Sequence, residues 1–279
     1  MKHTPVYKEE FLKALNVVAG GKYIDATYGQ GGYTQALVDA GAHVLALDAD
    51  KRQVELAAQS YDPEKAVIVH GNYAQLEEIA AEHSFYPVDG VVFDLGLSFE
   101  QMMNAKRGFS YKNTEDPLDM RLDAEEDTAT AQQLLSKKNE DELYEIFSHN
   151  GEELSARALA AYIVRTRHEH PYHTVGDLLY AISAVVQYER EKSFSRVFQS
   201  LRMAVNHELD RLREGIAAAI HVLKPEGVIV VLTFHSVEDR LVKRLLQSSP
   251  LLDAPKRVVK KQPLPFERSA ILRVAVKKS

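Results

Sequence analysis

Asp25, Gly29, Gly31, Gly32 and Asp48 are the residues whose types and spacing first point to a ligand. They lie in KYIDATYGQGGYTQALVDAGAHVLALDAD, residues 22–50, where two short apolar runs at 23–24 and 44–47 each end in an acid. A glycine cluster follows the first run and a helical pattern joins it to the second. The order is strand, glycine turn, helix, strand, acid. Glycines let the backbone approach a ligand closely, and free N–H groups at the helix start bind polar groups. An acid about 20 residues on takes both hydroxyls of a ribose. The unit reads as a nucleoside or nucleotide cofactor site.

Spacing narrows the cofactor. A dinucleotide fingerprint needs a third glycine where Thr34 stands, so a nicotinamide-dependent reductase is disfavoured. An acid at the strand end repels phosphates and attracts an ammonium, which Asp25 would offer to a cofactor with a positive amino-acid end and no pyrophosphate. S-adenosylmethionine meets that description. The plain alternative is that residues 29–32 only make a tight turn.

In open α/β sheets ligands sit beyond the carboxyl ends of the strands. The residues just after each apolar run are therefore Asp25 with the glycine loop, Asp48, Tyr73, residues 94–98, and His235 with Ser236. Each has an ordinary reading as well. Tyr73 could be core, Asp50 could replace Asp48 as the ribose acid, and Asp94 could cap a turn.

The elements that must position these groups follow from periodicity. Residues 1–21 suggest one amphipathic helix with Phe11, Leu12 and Leu15 on a face, ended by Gly20 and Gly21. A helix at 53–60 precedes apolar runs at 66–71 and 90–95, short and β-branched as buried parallel strands are. From about 99 to 192 the alternation stops, and helices take over. Asn139 caps one of them, with Glu142 three residues on and Gly151 beyond its end. A second runs over 151–170 to Pro171, and Thr174 caps a third over 175–186. A long helical pattern over 194–223 then leads, past Pro225 and Gly227, to a strand at 228–234, a helix at 237–247 and a last strand at 270–276.

The chain has 279 residues, 31.3 kDa, enough for one large α/β domain with an insertion. It contains no cysteine, which excludes disulfides and thiolate metal sites, and its histidines show no ligand spacing beyond His168 with His170, so no metal is expected. With no apolar leader and no run long enough to span a bilayer, a cytoplasmic protein without membrane attachment is expected. A net charge of -6 gives no global attraction to nucleic acid. Basic residues nevertheless cluster at Arg190, Lys192 and Arg196, at Arg240, Lys243 and Arg244, and at Lys256, Arg257, Lys260 and Lys261. Each cluster alone reads as a solvated face, and together they permit a local phosphate-facing surface.

DATYGQGGYT, ALDAD, DLGLSFEQMMNAKRGFSYKNTEDPLDMRLD, RVFQSLRMAVNHEL and FHSVEDRLVKR resemble, in order and spacing, the bacterial 16S ribosomal RNA (cytosine-1402 N4)-methyltransferase family over nearly the whole chain. RGFSY with PLDMRLD, FQSLRMAVN and FHSVEDR are its most specific pieces. The resemblance implies an α/β, class I S-adenosylmethionine-dependent methyltransferase fold, Rossmann-like with a mostly parallel sheet, and an inserted all-helical domain. The corresponding division is 1–98 with 194–279 for the methyltransferase domain and 99–193 for the inserted, substrate-recognising one. It implies methylation of a decoding-centre cytidine in 16S ribosomal RNA of the small ribosomal subunit, by a monomer or homodimer.

Carried over by position, the cofactor contacts are Gly31, Gly32, Tyr33, Asp48, Tyr73, Asp94 and Gln101, beside Asp25 and Gly29. Asp94, Ser98 and His235 are the catalytic candidates. Arg107, Arg196, Arg202, Asn206, Ser236, Arg240, Lys243 and Arg244 are the RNA-binding ones. The chain departs from the family pattern at Gln30 and Tyr33, where arginine and histidine are usual, at Tyr73, often phenylalanine, and at Phe99 and Glu100, where serine and proline are usual. The stretch between Gln247 and Arg268 is short. A flipped cytosine needs an apolar wall, for which Phe109, Tyr111 and Phe234 are candidates, each also an ordinary core residue. A different class of function, a catalytically idle RNA-binding or ribosome-assembly factor on the same fold, draws its only support from the departures at Gln30, Tyr33, Phe99 and Glu100.

Overall fold

A computed structural model describes residues 5–57, 60–96, 106–126, 128–260 and 269–279. The chain forms two compact units, Met1–Gly96 with Leu209–Ser279 and Leu97–Glu208.

The first unit is built on a seven-stranded sheet of β1 (Lys22–Asp25), β2 (His43–Asp48), β3 (Ala66–His70), β4 (Val88–Asp94), β5 (Leu223–Thr233), β6 (Lys256–Val258) and β7 (Ile271–Val276). The order is β3-β2-β1-β4-β5-β7-β6, parallel through β5, with β7 antiparallel to both its neighbours. Strand order reverses between β1 and β4, which opens the crevice where such sheets bind ligands. Among its helices are α1 (Lys8–Leu15), α2 (Gly32–Asp39), α3 (Lys51–Ala57) and α4 (Leu76–Glu82). The central strands are apolar at successive positions because both faces are covered. On β2, Leu45 and Leu47 face one core with Leu76, Ile216 and Val242, and Val44 and Ala46 face another with Phe11, Leu15 and Leu37.

The second unit is helical wherever it has regular elements among the described residues: α5 (Ala131–Lys137), α6 (Glu140–Glu145), which runs on into a π turn (Ile146–Asn150), α7 (Ala156–Thr166), α8 (Val175–Val185) and α9 (Arg190–Val205). Capping boxes start three of them, Thr130 with Gln133, Asn139 with Glu142 and Thr174 with Asp177. Each box satisfies amides that have no intrahelical partner. Leu135, Leu143, Phe147, Leu159, Ile163, Leu178, Ile182 and Leu201 fill a separate core.

Several expectations are corrected. The first helix covers only Lys8–Leu15, because Tyr7 and Asn16 at its ends are left-handed, with φ of 56° and 48°. The helix expected over 151–170 is Ala156–Thr166. The single long helix over 194–223 is two, α9 and α10 (Glu208–Val222), broken where His207 takes φ 49° and Asn206 turns its side chain to the backbone of residues 120 and 122. The boundary between units falls at 208/209 instead of 193/194. Val197, Phe198, Leu201 and Val205 of α9 belong to the helical unit's core. Strand β6 lies inside what reads in the sequence only as a basic cluster. The helix after β5 is α11 (Ser236–Ser248). Among the described residues no helix is long and apolar enough to cross a membrane.

Candidate active site

β1 ends at Asp25, which is wholly buried. One carboxylate oxygen accepts the Thr27 N–H at 3.2 Å and the other the Thr34 hydroxyl at 2.7 Å, while the Thr34 N–H donates to it as well. Helix α2 begins at a left-handed Gly31 with no side-chain cap of its own, so Asp25 serves as that cap from the strand end. Its carboxylate is turned onto the loop and the start of α2. Burial pushes its pKa up to about 6.

Asp48 closes the loop from β2. One oxygen accepts the Gly29 N–H at 2.7 Å and the other the Asp50 N–H at 2.8 Å. Of the two neighbouring acids, both buried, it is Asp48 that touches the glycine loop. Burial, opposed by those two amides and reinforced by the charges of Asp50 and Asp25, pushes its pKa up to about 7.

The glycines answer first to the loop's own packing. Gly31 has φ 72°, and a Cβ there would stand 2.6 Å from the Tyr28 hydroxyl; a Cβ on Gly32 would meet Pro5 Cγ at 2.5 Å. Tyr28 packs edge-on against Tyr61 at 6.4 Å, and the Tyr61 hydroxyl donates to the Gly31 carbonyl at 3.3 Å. Tyr33 is corrected as a cofactor contact through its side chain. Its hydroxyl donates to the Val6 carbonyl at 2.5 Å and its ring lies 4.5 Å from Phe11, inside the core that α1 covers.

At the end of β4 the Asp94 N–H donates to Thr27 Oγ1 at 2.7 Å. The side chain is half-buried, and its Oδ1, shut off from water, has no hydrogen-bond partner among the described residues. Burial first, then the charges of Asp25 and Glu238, push the Asp94 carboxyl up to about 8. His235 is the N-cap of α11, its Nδ1 accepting the Glu238 N–H at 3.4 Å. Its Nε2 lies 2.9 Å from Glu238 Oε1 at an angle that makes no hydrogen bond. The imidazole is therefore engaged in starting the helix, which Arg273 of β7 holds through two bonds to Asp239 at 2.6 and 2.8 Å. Phe234 is half-buried beside Gly96. Tyr73 packs its ring at 5.7 Å from Phe93 and against Gly215, the core reading of that residue. Ser98 and Gln101, with Phe99 and Glu100, lie outside the described residues.

Asp25, Asp48 and Asp94 thus converge electrostatically at the crevice. Burial is the largest influence on all three; hydrogen bonds from the loop oppose it at Asp25 and Asp48, and neighbouring acids add to it at Asp48 and Asp94. A cation bound among such acids restores their charged forms, whereas a pyrophosphate would be repelled. These acceptors fit a sulfonium cofactor with an ammonium end and a ribose.

The RNA-binding candidates separate into two groups. Arg107 donates to the carbonyls of Arg121 and Leu122 at 2.9 and 2.8 Å, and Arg202 forks onto Glu208 at 2.8 and 2.9 Å. Asn206 is 2% exposed, giving its amide to the carbonyls of Met120 and Arg202 and taking the Leu122 N–H, each at 2.8 Å. These three hold the helical unit together. Arg196 is half-exposed, and Ser236, Arg240, Lys243 and Arg244 are exposed on α11, whose buried face is Val237, Leu241, Val242 and Leu246. Phe109 is buried in the helical core, and Tyr111 is half-buried against it beside Phe194 and Phe198.

Sequence reasoning missed Thr27, Thr34 and Glu238. Asp25 and Thr27 have the spacing of an Asx turn, and Glu238 stands three residues after His235, as a capping partner does; both signals are present in the chain.

The family model described as the MraW methylase family matches residues 1–278. A ribosomal RNA small subunit methyltransferase H of Thermomicrobium roseum is 42% identical over 253 residues, 88% of this chain and 77% of that protein. One of Magnetococcus marinus is 39% identical over 256 residues, 89% and 81%. One of Gloeothece citriformis is 36% identical over 295 residues, 99% and 94%. With the match running from end to end of a fold whose crevice suits a cationic nucleoside, the chain belongs to the MraW methylase family and is an S-adenosylmethionine-dependent methyltransferase.

Proposed function

We propose that the chain methylates the exocyclic N4 of cytidine 1402 in 16S ribosomal RNA, at the decoding centre of the small subunit, in the cytoplasm. Relatives named for methylation of small-subunit ribosomal RNA, aligned over most of the chain, support the target class. The observation that carries the choice of an amine is Asp94. It presents a carboxyl at the end of β4 whose Oδ1 has no hydrogen-bond partner among the described residues.

When bound, S-adenosylmethionine supplies an electrophilic methyl. A cytosine amine is a weak nucleophile because its lone pair is delocalised into the ring, so orientation provides most of the rate. Asp94 accepts one N4 hydrogen, localises the lone pair and receives the proton lost after transfer. It acts as the carboxylate, the form that positive charge in the crevice favours. Asp48 holds the ribose hydroxyls and, through Gly29, the loop. Phe234 offers an apolar surface to the flipped base. The helical unit contributes RNA recognition, and Arg196, Arg240, Lys243 and Arg244 are the phosphate contacts.

The test is methyl transfer from labelled cofactor to isolated small subunits, followed by nucleoside analysis. N4-methylcytidine is expected. Label in any other nucleoside overturns the choice of atom, and cofactor binding without transfer to any RNA favours the idle assembly factor.

A further inference from the structure

We infer that Thr27 is a positioning residue that holds Asp94 in register with the cofactor loop. This rests on the methyl-transfer reading above and adds a residue to it.

The ladder between β1 and β4 runs out just short of Asp94. The two strands pair from Tyr23↔Gly90 to Asp25↔Val92, and one further bond follows, from the Ala26 N–H to the Val92 carbonyl at 2.9 Å. The chain then swings to the other side of β1, where the Tyr28 N–H donates to the Leu47 carbonyl of β2 at 2.7 Å. Bonding groups alternate sides along a strand. Leu95 N–H donates to Leu232 of β5, so the Asp94 N–H points toward β1, past the last backbone acceptor there. Thr27 supplies the acceptor with its side chain, at 2.7 Å.

Thr27 is bound on its other side as well. Its N–H donates to Asp25, and Asp25 accepts from Thr34 at the start of α2. The series Asp94, Thr27, Asp25, Thr34 therefore joins the end of the strand that carries the proton acceptor to the helix that begins at the glycine loop. A hydroxyl is required there. Valine has the same shape and no acceptor, alanine leaves the Asp94 N–H unpaired without adding bulk, and serine keeps the bond.

The experiment compares Thr27→Val and Thr27→Ser with the unaltered chain, using S-adenosylmethionine and isolated small subunits, and Thr27→Ala carries the test if the valine variant does not fold. Expected is a fall in kcat of about tenfold or more for valine, with KM for the subunits within about twofold, and recovery in the serine variant. A merely structural role would lower the melting temperature and leave kcat below that temperature unchanged. A valine variant with unchanged kcat overturns the inference. Asp94→Asn is run beside it. If that variant is inactive and Thr27→Val is normal, only the role of Thr27 falls; if Asp94→Asn is fully active, the assignment of Asp94 falls and takes the positioning role with it.

Discussion

The Asp48 carboxylate takes the Gly29 N–H at 2.7 Å, so the acid proposed to read the cofactor's ribose also ties the glycine loop to β2. Its second oxygen takes the Asp50 N–H at 2.8 Å. One side chain therefore shapes the loop and, in the proposed reading, also serves the ligand.

Asp48→Ala removes a charge-assisted acceptor and leaves buried amides unpaired. S-adenosylmethionine binding should weaken by roughly 1 to 3 kcal/mol, with a loss of fold stability of about the same size. Titration calorimetry and urea unfolding measure the two. An unchanged dissociation constant would shift the ribose role to Asp50.

The acids at the crevice make stability depend on pH. Asp25, Asp48 and Asp94 titrate at about 6, 7 and 8 in the fold against an ordinary value of 3.8. Each pKa is raised by folding, so the folded state holds protons that the unfolded chain has already released. The free protein should therefore lose stability as pH rises from about 4 to about 8, through the three folded values. Charged acids bind a cation better, so cofactor affinity should rise over the same range, with proton release on binding. Urea midpoints across pH, and calorimetry in buffers of different ionisation enthalpy, check the two halves. Asp94→Asn should flatten the upper part of the stability profile, and a profile unchanged by it would refute the assignment.

At Gly31 the nearest obstacle to a side chain is Tyr28, since a Cβ would lie 2.6 Å from its hydroxyl at φ 72°. In Gly31→Val cofactor binding should be abolished, and the fold should be destabilised by roughly 1 to 3 kcal/mol because a branched residue is forced into the left-handed region. Gly31→Ala with Tyr28→Leu should bind cofactor more tightly than Gly31→Ala alone. No such improvement would mean that the clash is with the ligand itself.

Lys243 and Arg244 are exposed on α11 beside its buried face. Neutralising both should leave cofactor affinity intact and lower activity on small subunits. The salt dependence of RNA binding should fall by roughly 0.7 to 0.9 log units for each phosphate no longer engaged. An unchanged slope with full activity would mark this face as merely solvated.

Much of the site is legible in the chain itself, because local chemistry marks it. Acids ending apolar runs, glycines before a helical pattern, and the Asn139 and Thr174 caps are short-range signals, and β2, α2, α6 and α8 form where those signals put them. Side-chain direction is not legible there. Tyr33 and Arg202 stand at the expected places in the chain, yet one ring is drawn into the core under α1 and one guanidinium onto Glu208.

The sequence by itself determined the alternating strands and helices, the cofactor class and the positions of Asp48 and Asp94. Period, charge and glycine spacing are properties of neighbouring residues. Tertiary structure alone decided that α9 packs with the helical unit, that Asn206 breaks the long helix, and that Thr27 stands in for a missing strand neighbour. Each of these depends on which polar groups lose water and what partner lies across a gap far along the chain. A buried amide must be paired wherever the fold leaves it, and only the assembled fold says where that is.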